Sequence, residues 1–289
     1  MSNNTLVQDL IEAGIHFGQR SSNWNPKMGP YIYGKRSGIH IIDIKETVKG
    51  LLLAKRLVTK LVGDGKDICF VGTKRQAKGV IEQRVGDVKM HYVTERWLGG
   101  TLTNFRTIRA RLKRLEELEA IEADDNFQSY SKKMESQLRR EMRKIKRNLD
   151  GIRRMEKLPG ALVIVDVRRE LTAIREAKKL GIPTICLIDT DGNPDEADIA
   201  IPGNDDSMRS IDVIIRELCL AIADGKQTRG GDQPDAEAPA GAAQPKRSSR
   251  SQWKADDDAP AEAAPADASG AEPKDPTPAP APAPANAES

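Results

Sequence analysis

Four aspartates stand at positions where an α/β protein commonly carries a catalytic or metal site. Asp166 and Asp189 each end a continuous apolar run, and Asp205 and Asp206 lie just before the last long amphipathic segment. In open α/β sheets, functional groups collect at the carboxyl ends of the strands. Helix capping, a divalent-cation site and general acid–base catalysis are all consistent with these carboxylates. His16 would join a metal site only if the N-terminal segment folds back over this edge, and the candidate ligands are then His16, Asp189, Asp205 and Asp206.

A second group of residues has the chemistry of a phosphate site. Residues 70–75 read Phe-Val-Gly-Thr-Lys-Arg and lie between an apolar run and a helical segment. A glycine, a hydroxyl and two cations at a helix N-terminus suit an anion, because backbone N–H groups and the helix dipole point at it. Neither glycine-rich nucleotide fingerprint is present. An ordinary strand–helix turn, an RNA-phosphate contact and a mononucleotide site therefore all stay open.

The charge of the chain is unevenly distributed. Its 289 residues carry a formal net charge of +3, but residues 104–157 hold 16 Lys or Arg against 10 Asp or Glu. Residues 1–60 hold 9 against 4, whereas residues 158–225 hold 7 against 13. Because the basic excess is confined to two segments, we expect the chain to bind a polyanion in one orientation.

The more strongly charged of these segments, residues 104–157, is predicted to be a helical hairpin inserted into the fold. Apolar residues recur at helical spacing in two arms, which flank the turn residues Asp124-Asp125-Asn126. Ser131 is predicted to cap the second helix. Arms of roughly 19 and 27 residues would form an antiparallel coiled coil with arms about 30 and 40 Å long. The seams are Phe105, Ile108, Leu112 and Leu115 in one arm and Tyr130, Met134, Leu138, Met142, Ile145, Leu149, Ile152 and Met155 in the other.

The cations beside the second seam fit either a solvated helix face or contact with a polyanion. They include Lys132, Lys133, Arg139, Arg140, Arg143, Lys144, Lys146 and Arg147. Taken together with the arginines of the first arm, the cluster favours the polyanion.

The remaining globular sequence, residues 1–103 and 158–225, is predicted to form one α/β domain. Continuous apolar strands alternate with helices, which indicates a parallel sheet covered on both faces in an open doubly wound fold. Residues 14–34 are rich in Gly, Pro and Asn and are predicted to be an ordered wrap without a regular element. The predicted strands are residues 39–43, 68–71, 90–93, 161–166, 184–189 and 199–201, and the predicted helices are residues 5–13, 44–63, 76–85, 172–180 and 207–223.

Composition changes after Gly225. Residues 226–289 contain 11 of the 17 prolines and are predicted to be a disordered tail. Cys69, Cys186 and Cys219 each lie in an apolar run without C-x-x-C spacing, so we expect buried, reduced thiols. No apolar run approaches the roughly 18 residues of a membrane span, and the N-terminus lacks a signal-peptide pattern. We expect a cytoplasmic protein that does not contact a membrane.

Several blocks of sequence resemble one family, the second protein of the bacterial small ribosomal subunit (ribosomal protein S-two). The blocks follow the order expected of that family over nearly all of residues 5–225. They are Glu12-Ala-Gly-Ile-His-Phe-Gly18, Trp24-Asn-Pro-Lys-Met28, Gly38-Ile-His-Ile-Ile-Asp43, Phe70-Val-Gly-Thr-Lys74, Glu95-Arg-Trp-Leu-Gly-Gly-Thr-Leu-Thr-Asn104, Leu158-Pro-Gly-Ala-Leu162, Gly181-Ile-Pro183 and Ile201-Pro-Gly-Asn-Asp-Asp206.

The resemblance implies a flavodoxin-like sheet with an inserted helical hairpin and no enzymatic activity. It implies binding to small-subunit ribosomal RNA at the head–body junction, contact with neighbouring proteins, and a role in attaching ribosomal protein S-one. No cofactor is expected beyond a structural divalent cation at the carboxylates above. The phosphate contacts are then expected from Lys27, Lys74, Arg75, Arg96, Arg106 and Arg109, on a surface shaped by Trp24, Asn25, Trp97 and Asn104.

Two other functions compete with this interpretation. A flavodoxin-like enzyme would use Asp166, Asp189 and Asp205, and would bind a nucleotide or flavin tightly. A free RNA-binding regulator would be found away from ribosomes in a sucrose gradient.

Overall fold

The computed structural model of the protein describes residues 3–123 and 131–231. Within these residues the helices are α1 (Asn3–Glu12), α2 (Ile44–Gly63), α3 (Arg75–Asp87), α4 (Phe105–Ala123), α5 (Lys132–Leu149), α6 (Leu171–Leu180) and α7 (Met208–Gly231). The strands are β1 (Phe17–Arg20), β2 (Ile32–Arg36), β3 (Ile39–Ile42), β4 (Ile68–Val71), β5 (His91–Val93), β6 (Ala161–Val165), β7 (Thr184–Ile188) and β8 (Ile199–Pro202). Short 3₁₀ helices cover Pro26–Tyr31, Asp150–Ile152 and Pro194–Glu196.

The main sheet is parallel and has the strand order β5-β4-β6-β7-β8. Numbered along the chain within this sheet, the order is 2-1-3-4-5, which is that of flavodoxin-like doubly wound proteins. Every residue of β4, β6 and β7 is buried, as strands covered on both faces require. The predicted α/β class with a parallel sheet is confirmed.

Helices cover both faces of this sheet because side chains alternate along each strand. In β4, Ile68 and Phe70 join a core that contains residues of α1, α2, α3 and α7. Cys69 and Val71 point to the opposite face and join a core with residues of α4, α5 and α6. Both layers therefore depend on the same central strands.

A second, antiparallel sheet has the order β1-β3-β2. Two expectations are wrong here, because residues 14–34 contain regular elements and residues 39–43 do not join the parallel sheet. The chain reverses at Ser37-Gly38, where both residues have positive φ, and β3 pairs with β2 as a hairpin. The segment also folds over the carboxyl edge of the parallel sheet, since the Asn25 N–H donates to the Thr190 carbonyl at 2.8 Å.

The helices α4 and α5 are inserted between β5 and β6, as predicted. Ser131 caps α5, and its Oγ accepts a hydrogen bond from the Met134 N–H at 3.4 Å. The helix ends at Leu149, so it is shorter than the predicted second arm. The turn that follows packs closely on β5, because the Tyr92 carbonyl oxygen occupies the space that a Cβ at Gly151 would need.

The described contacts between α4 and α5 involve the second half of α5 and the turn beyond it, and Met134 near the start of α5 is 46% exposed. Arg109, near the start of α4, donates to the Met155 carbonyl in that turn. The ion pairs are Arg111 to Glu141 at 3.9 Å, Glu119 to Lys146 at 3.8 Å and Glu119 to Arg153 at 2.6 Å.

The last helix is longer than predicted. It runs to Gly231, so the predicted boundary at residue 225 falls inside α7. The Lys226 ammonium donates to the Val88 carbonyl at 2.6 Å and ties this extension to the body. The described residues all fall in one compact unit, Met1–Glu237, and the predicted disorder of the tail concerns residues 232–289, which lie outside them. Of the helices in residues 3–123 and 131–231, none has the length and apolarity to cross a membrane.

The three cysteines are buried and free, as predicted. Burial raises the pKa of the Cys69 thiol to about 12 and that of Cys219 to about 12. Protonated thiols of this kind behave as small apolar core side chains.

Candidate nucleic-acid interface and acidic cluster

The carboxyl edge of the parallel sheet gathers four aspartates around one lysine. The Lys74 ammonium lies 2.6 Å from Asp205, 2.6 Å from Asp206 and 3.7 Å from Asp166. Asp189 completes the group, because it follows β7 at the same edge. The predicted convergence of the four carboxylates is therefore confirmed, and the topology explains it. Lys74 follows β4, which is the neighbour of β6 in the sheet.

Burial and crowding raise the pKa values of two carboxyls in this cluster, Asp205 and Asp189. Burial, reinforced by the charge of Asp166, raises the pKa of Asp205 to about 8. Burial also raises the pKa of Asp189 to about 6. Burial alone would lower the pKa of Lys74, but the hydrogen bond to Asp205 and its charge outweigh burial and raise it. The folded protein therefore binds a proton at Asp205 more tightly than the unfolded chain does.

The same carboxylates have the geometry of a cation site. One oxygen from each of Asp189, Asp205 and Asp206 lies within 4.8 Å of the other two. Carboxylate oxygens are the ligands that Mg²⁺ and Ca²⁺ prefer. The Lys74 ammonium already lies against two of these carboxylates, so a divalent cation would have to displace it. The donor set fits such an ion, and Lys74 competes with it.

His16 is not part of this cluster in the described chain. Its ring packs against Phe17 with centroids 4.1 Å apart. The N-terminal segment does fold back over the edge, but it brings Gln19 there instead. The Gln19 Nε2 donates to Asp189 at 3.1 Å and to Asp206 at 2.5 Å. The Gln19 amide therefore donates hydrogen bonds to the carboxylates at the place where His16 was predicted to be a metal ligand.

The loop between β5 and α4 is organised by the carboxylate of Glu176 on α6. Its two oxygens accept hydrogen bonds from the Trp97 Nε1 at 3.1 Å, the Gly100 N–H at 2.7 Å, the Leu102 N–H at 3.0 Å, the Thr103 N–H at 3.1 Å and the Thr103 Oγ1 at 3.2 Å. Burial raises the pKa of Glu176, but these donors outweigh burial and lower it. Gly100 has φ +88°, which a residue with a side chain rarely adopts. The loop that begins after Arg96 and ends at Asn104 is therefore fixed by one side chain.

The predicted RNA-binding residues divide into exposed and buried side chains. Trp97 is 8% exposed and belongs to the core, and Lys74 is also 8% exposed. The polar group of each is bound inside the protein, so these two residues shape the surface without offering a hydrogen bond to a partner. The exposed residues of the set are Trp24, Lys27, Arg75, Arg96, Asn104 and Arg106.

Exposed Lys27 and the two half-buried residues of the set, Asn25 and Arg109, have partners within the protein. Lys27 forms an ion pair with Asp195. The Asn25 Oδ1 accepts from the Lys27 N–H at 3.0 Å and caps the 3₁₀ turn. Arg109 donates to the Met155 carbonyl at 3.2 Å and so holds the start of α4 to the turn after α5. Arg75 and Arg96 follow the neighbouring strands β4 and β5, so they lie at the same edge of the sheet.

Sequence reasoning missed Glu176 and Gln19. The signal for Glu176 is its place on the apolar face of α6, between the buried residues Ile174 and Ala177. A carboxylate on such a face needs several donors to offset its burial. Gln19 offers no comparable signal, because its partners are more than 150 residues away along the chain.

Comparison with known proteins gives one consistent result. The family model described as Ribosomal protein S2 matches residues 10–225. Over 236 residues the chain is 56% identical to the small ribosomal subunit protein uS2 of Rhodopirellula baltica, which covers 81% of this chain and 91% of that protein. Over 219 residues it is 50% identical to the small ribosomal subunit protein uS2c of Guillardia theta, covering 76% of this chain and 93% of that protein. The family match includes both the α/β body and the inserted helices.

Proposed function

The chain belongs to the Ribosomal protein S2 family, and from that premise we propose that it binds ribosomal RNA at the head–body junction of the small subunit. Membership makes it a structural, non-enzymatic protein of the small ribosomal subunit, with a role in translation. It resides in the ribosome, together with ribosomal RNA and other subunit proteins.

The observation that supports RNA binding is a row of exposed cations around the carboxyl edge of the sheet. Arg75 and Arg96 follow adjacent strands, and Arg106 lies in the first turn of α4. The loop bound by Glu176 connects Arg96 to Arg106 and so fixes the distance between these two cations. Such a surface suits structured RNA, which proteins recognise by its phosphates, 2′-hydroxyls and shape more than by base sequence. Trp24, 41% exposed, adds an aromatic face that could stack on an unpaired base.

The test combines a sucrose gradient with RNA binding. The full chain is expected to sediment with the small subunit and to bind a transcript of small-subunit ribosomal RNA. We expect Arg75→Ala/Arg96→Ala/Arg106→Ala to lower the slope of log K against log salt by about 2, because each phosphate contact contributes about 0.7–0.9.

The control removes the same charge from α2. Lys49, Arg56 and Lys60 are exposed on α2, and Lys49→Ala/Arg56→Ala/Lys60→Ala should leave the slope within about 1 of wild type. A wild-type chain that stays at the top of the gradient would favour the free regulator instead.

We also propose that the small antiparallel sheet docks ribosomal protein S-one. Its exposed apolar side chains support this, because Tyr33 is 81% exposed, Phe17 47% and Ile39 36%, and exposed apolar patches mark protein contacts. Phe17→Ser/Tyr33→Ser should remove S-one from purified subunits while this chain remains bound to them. Unchanged S-one occupancy would contradict the assignment.

A structural divalent cation at Asp189, Asp205 and Asp206 completes the proposal. It is supported by the clustering of their oxygens within 4.8 Å and opposed by the Lys74 ammonium, which lies against two of them. The cation would replace Lys74 as the counter-charge and fix the start of α7 to the end of β7.

A further inference from the structure

We propose that a basic groove on α5 binds the phosphate backbone of paired ribosomal RNA, an inference that rests on the RNA-binding function proposed above. The groove has a volume of about 700 Å³ and is lined by Arg96, Arg140, Arg143, Lys144, Arg147 and Asn148. Of these residues, Arg96 alone is recognisable from the sequence blocks of the family. The other cations come from one helix.

The cations of α5 form a continuous stripe opposite its apolar seam. At 3.6 residues per turn, Arg140, Arg143, Lys144 and Arg147 fall within about 100° of the helix circumference. Met142, Ile145 and Leu149 occupy the other side and are buried in the core. Core packing therefore fixes the rotation of α5 and directs the stripe outward, where it meets Arg96 from the loop after β5.

Most of these cations lack a counter-charge within the protein. In the part of the chain that the structure describes, Arg96, Arg140 and Lys144 form no ion pair. Arg147 lies 3.9 Å from Glu95, but that carboxylate also pairs with Lys78 at 3.0 Å, and the Arg147 side chain is 72% exposed.

The stripe also repels itself. Arg140 and Lys144, and Arg143 and Arg147, are like charges four residues apart, and such pairs destabilise an isolated helix. A bound polyanion would relieve this repulsion. A merely solvated helix face would more commonly alternate charges of opposite sign, as Glu135 and Arg139 do at 3.0 Å on the same helix.

The chemistry of the groove favours phosphate in a duplex over unpaired bases. Guanidinium groups bind phosphate oxygens through two parallel hydrogen bonds. Five of the six lining residues are cations and none is aromatic, whereas surfaces that bind single strands stack the bases on aromatic side chains. In a duplex the base faces are already stacked, so the phosphates and 2′-hydroxyls are what a protein can reach.

The experiment compares two triple variants of the full chain. The groove variant is Arg140→Gln/Arg143→Gln/Arg147→Gln. The matched control, Lys132→Gln/Lys133→Gln/Arg139→Gln, removes the same charge from α5 at positions outside the groove. All side chains changed are exposed, and far-UV circular dichroism should show wild-type helix content for both. Affinity for a transcript of small-subunit ribosomal RNA is measured across a range of salt concentrations.

We expect the groove variant to lower the slope of log K against log salt by about 2, and the control by less than about 1. If the two variants lower the slope equally, the RNA is attracted by the overall positive charge of α5 and not by the groove, and the proposal is wrong. If wild type binds but the groove variant keeps its slope, the groove alone is wrong. If wild type does not bind the transcript, the proposed RNA-binding function is itself wrong, and the groove proposal is wrong with it.

Two competitors then identify the ligand. A short RNA duplex should displace the transcript from wild type at lower concentration than oligouridine with the same number of phosphates. Better competition by oligouridine would overturn the assignment to paired RNA. Competition by polyglutamate equal to that by the duplex would point to an acidic protein segment and would also overturn it.

Discussion

At the scale of single residues, Glu176 is the side chain on which the candidate interface depends. It is 7% exposed, and its carboxylate accepts three backbone N–H groups, one hydroxyl and the indole of Trp97. Hydrogen bonds to a charged group are stronger than neutral ones, and an unsatisfied buried donor is costly. One side chain thereby connects α6 to the loop that carries Arg96 and Asn104.

Glu176→Gln is expected to lower the free energy of unfolding by about 2–4 kcal/mol, because the amide NH₂ would face the donors of the loop. Urea unfolding measures this change. The control is Glu196→Gln, which removes a carboxylate paired with Lys178 at the surface at 3.0 Å and should change stability by less than about 1 kcal/mol. Equal losses in the two variants would show that the loop does not depend on Glu176.

Asp205 gives the acidic cluster a pH dependence of definite sign. Its pKa is raised by burial from 3.8 to about 8 in the folded protein. A raised pKa means that the folded state holds the proton more tightly than the unfolded chain does. The contribution of Asp205 to stability is therefore present at low pH and is lost as the pH rises from about 4 to 8. Asp189, with its pKa raised to about 6, acts in the same direction.

Asp205→Asn should flatten this dependence, because asparagine resembles the protonated carboxyl. Between pH 4 and 8, in the presence of a chelator, we expect wild type to lose at least about 1.4 kcal/mol more unfolding free energy than the variant, the equivalent of one pKa unit. Asp64→Asn, at an exposed site, should behave as wild type. Parallel curves for wild type and Asp205→Asn would refute the assignment.

Wild type and Asp205→Asn also test whether the acidic cluster binds a divalent cation. If the carboxylates hold Mg²⁺, adding the ion near pH 8 should raise the melting temperature of wild type and leave that of Asp205→Asn nearly unchanged. Equal responses of the two proteins would leave Lys74 as the sole counter-charge of the cluster.

At the scale of elements, the inserted helices pack mainly on each other, and their buried side chains continue into the core on one face of the sheet. Leu115 and Leu118 on α4 are fully buried, and they share a core with β6 and α6. Leu118 lies near the end of α4, and the neighbouring Glu119 pairs with Lys146 on α5 and with Arg153 in the turn beyond it.

Leu118→Ala is expected to lower the global free energy of unfolding by about 2–5 kcal/mol, the usual effect of a cavity in a core. Met134→Ala, at an exposed site on α5, should change it by less than about 0.5 kcal/mol. Urea unfolding followed by tryptophan fluorescence reports on the body through buried Trp97. If Leu118→Ala altered helix content alone and left this transition in place, α4 and α5 would be an independent unit.

At the scale of the whole molecule, α7 decides where the folded part ends. Lys226 bonds to the Val88 carbonyl, and the Arg229 guanidinium would lie 3.5 Å from a Cβ at Gly65. Both contacts belong to residues that composition had assigned to the tail. The proline-rich composition after residue 231 still predicts a segment without a core.

A chain ending at residue 231 should keep the unfolding free energy of the full chain within about 0.5 kcal/mol, since segments without a core contribute little. A chain ending at residue 225 should lose about 1 kcal/mol or more, because it lacks the hydrogen bond of Lys226. Thermal and urea unfolding of the three proteins measure this. Equal stability of the two truncations would mean that the end of α7 contributes nothing.

The sequence by itself determined the elements whose signals are local. The buried strands β4, β6 and β7 are continuous apolar runs, and α2 has the predicted bounds because Asp43 caps it and apolar residues recur at helical spacing. Four of the cluster residues were also predictable, since parallel strands end at a common edge. Family membership followed from blocks of sequence in order.

Only the tertiary structure decided how distant segments meet. Nothing local shows that β3 pairs with β1, that Lys74 lies inside the acidic cluster, or that Glu176 binds a loop more than 70 residues away. The packing partners of α4 are of the same kind, because an apolar seam specifies that a helix face is buried but not against which partner. The spacing of apolar residues shows which side chains are buried, whereas the segments they pack against depend on the shape and charge of the whole fold.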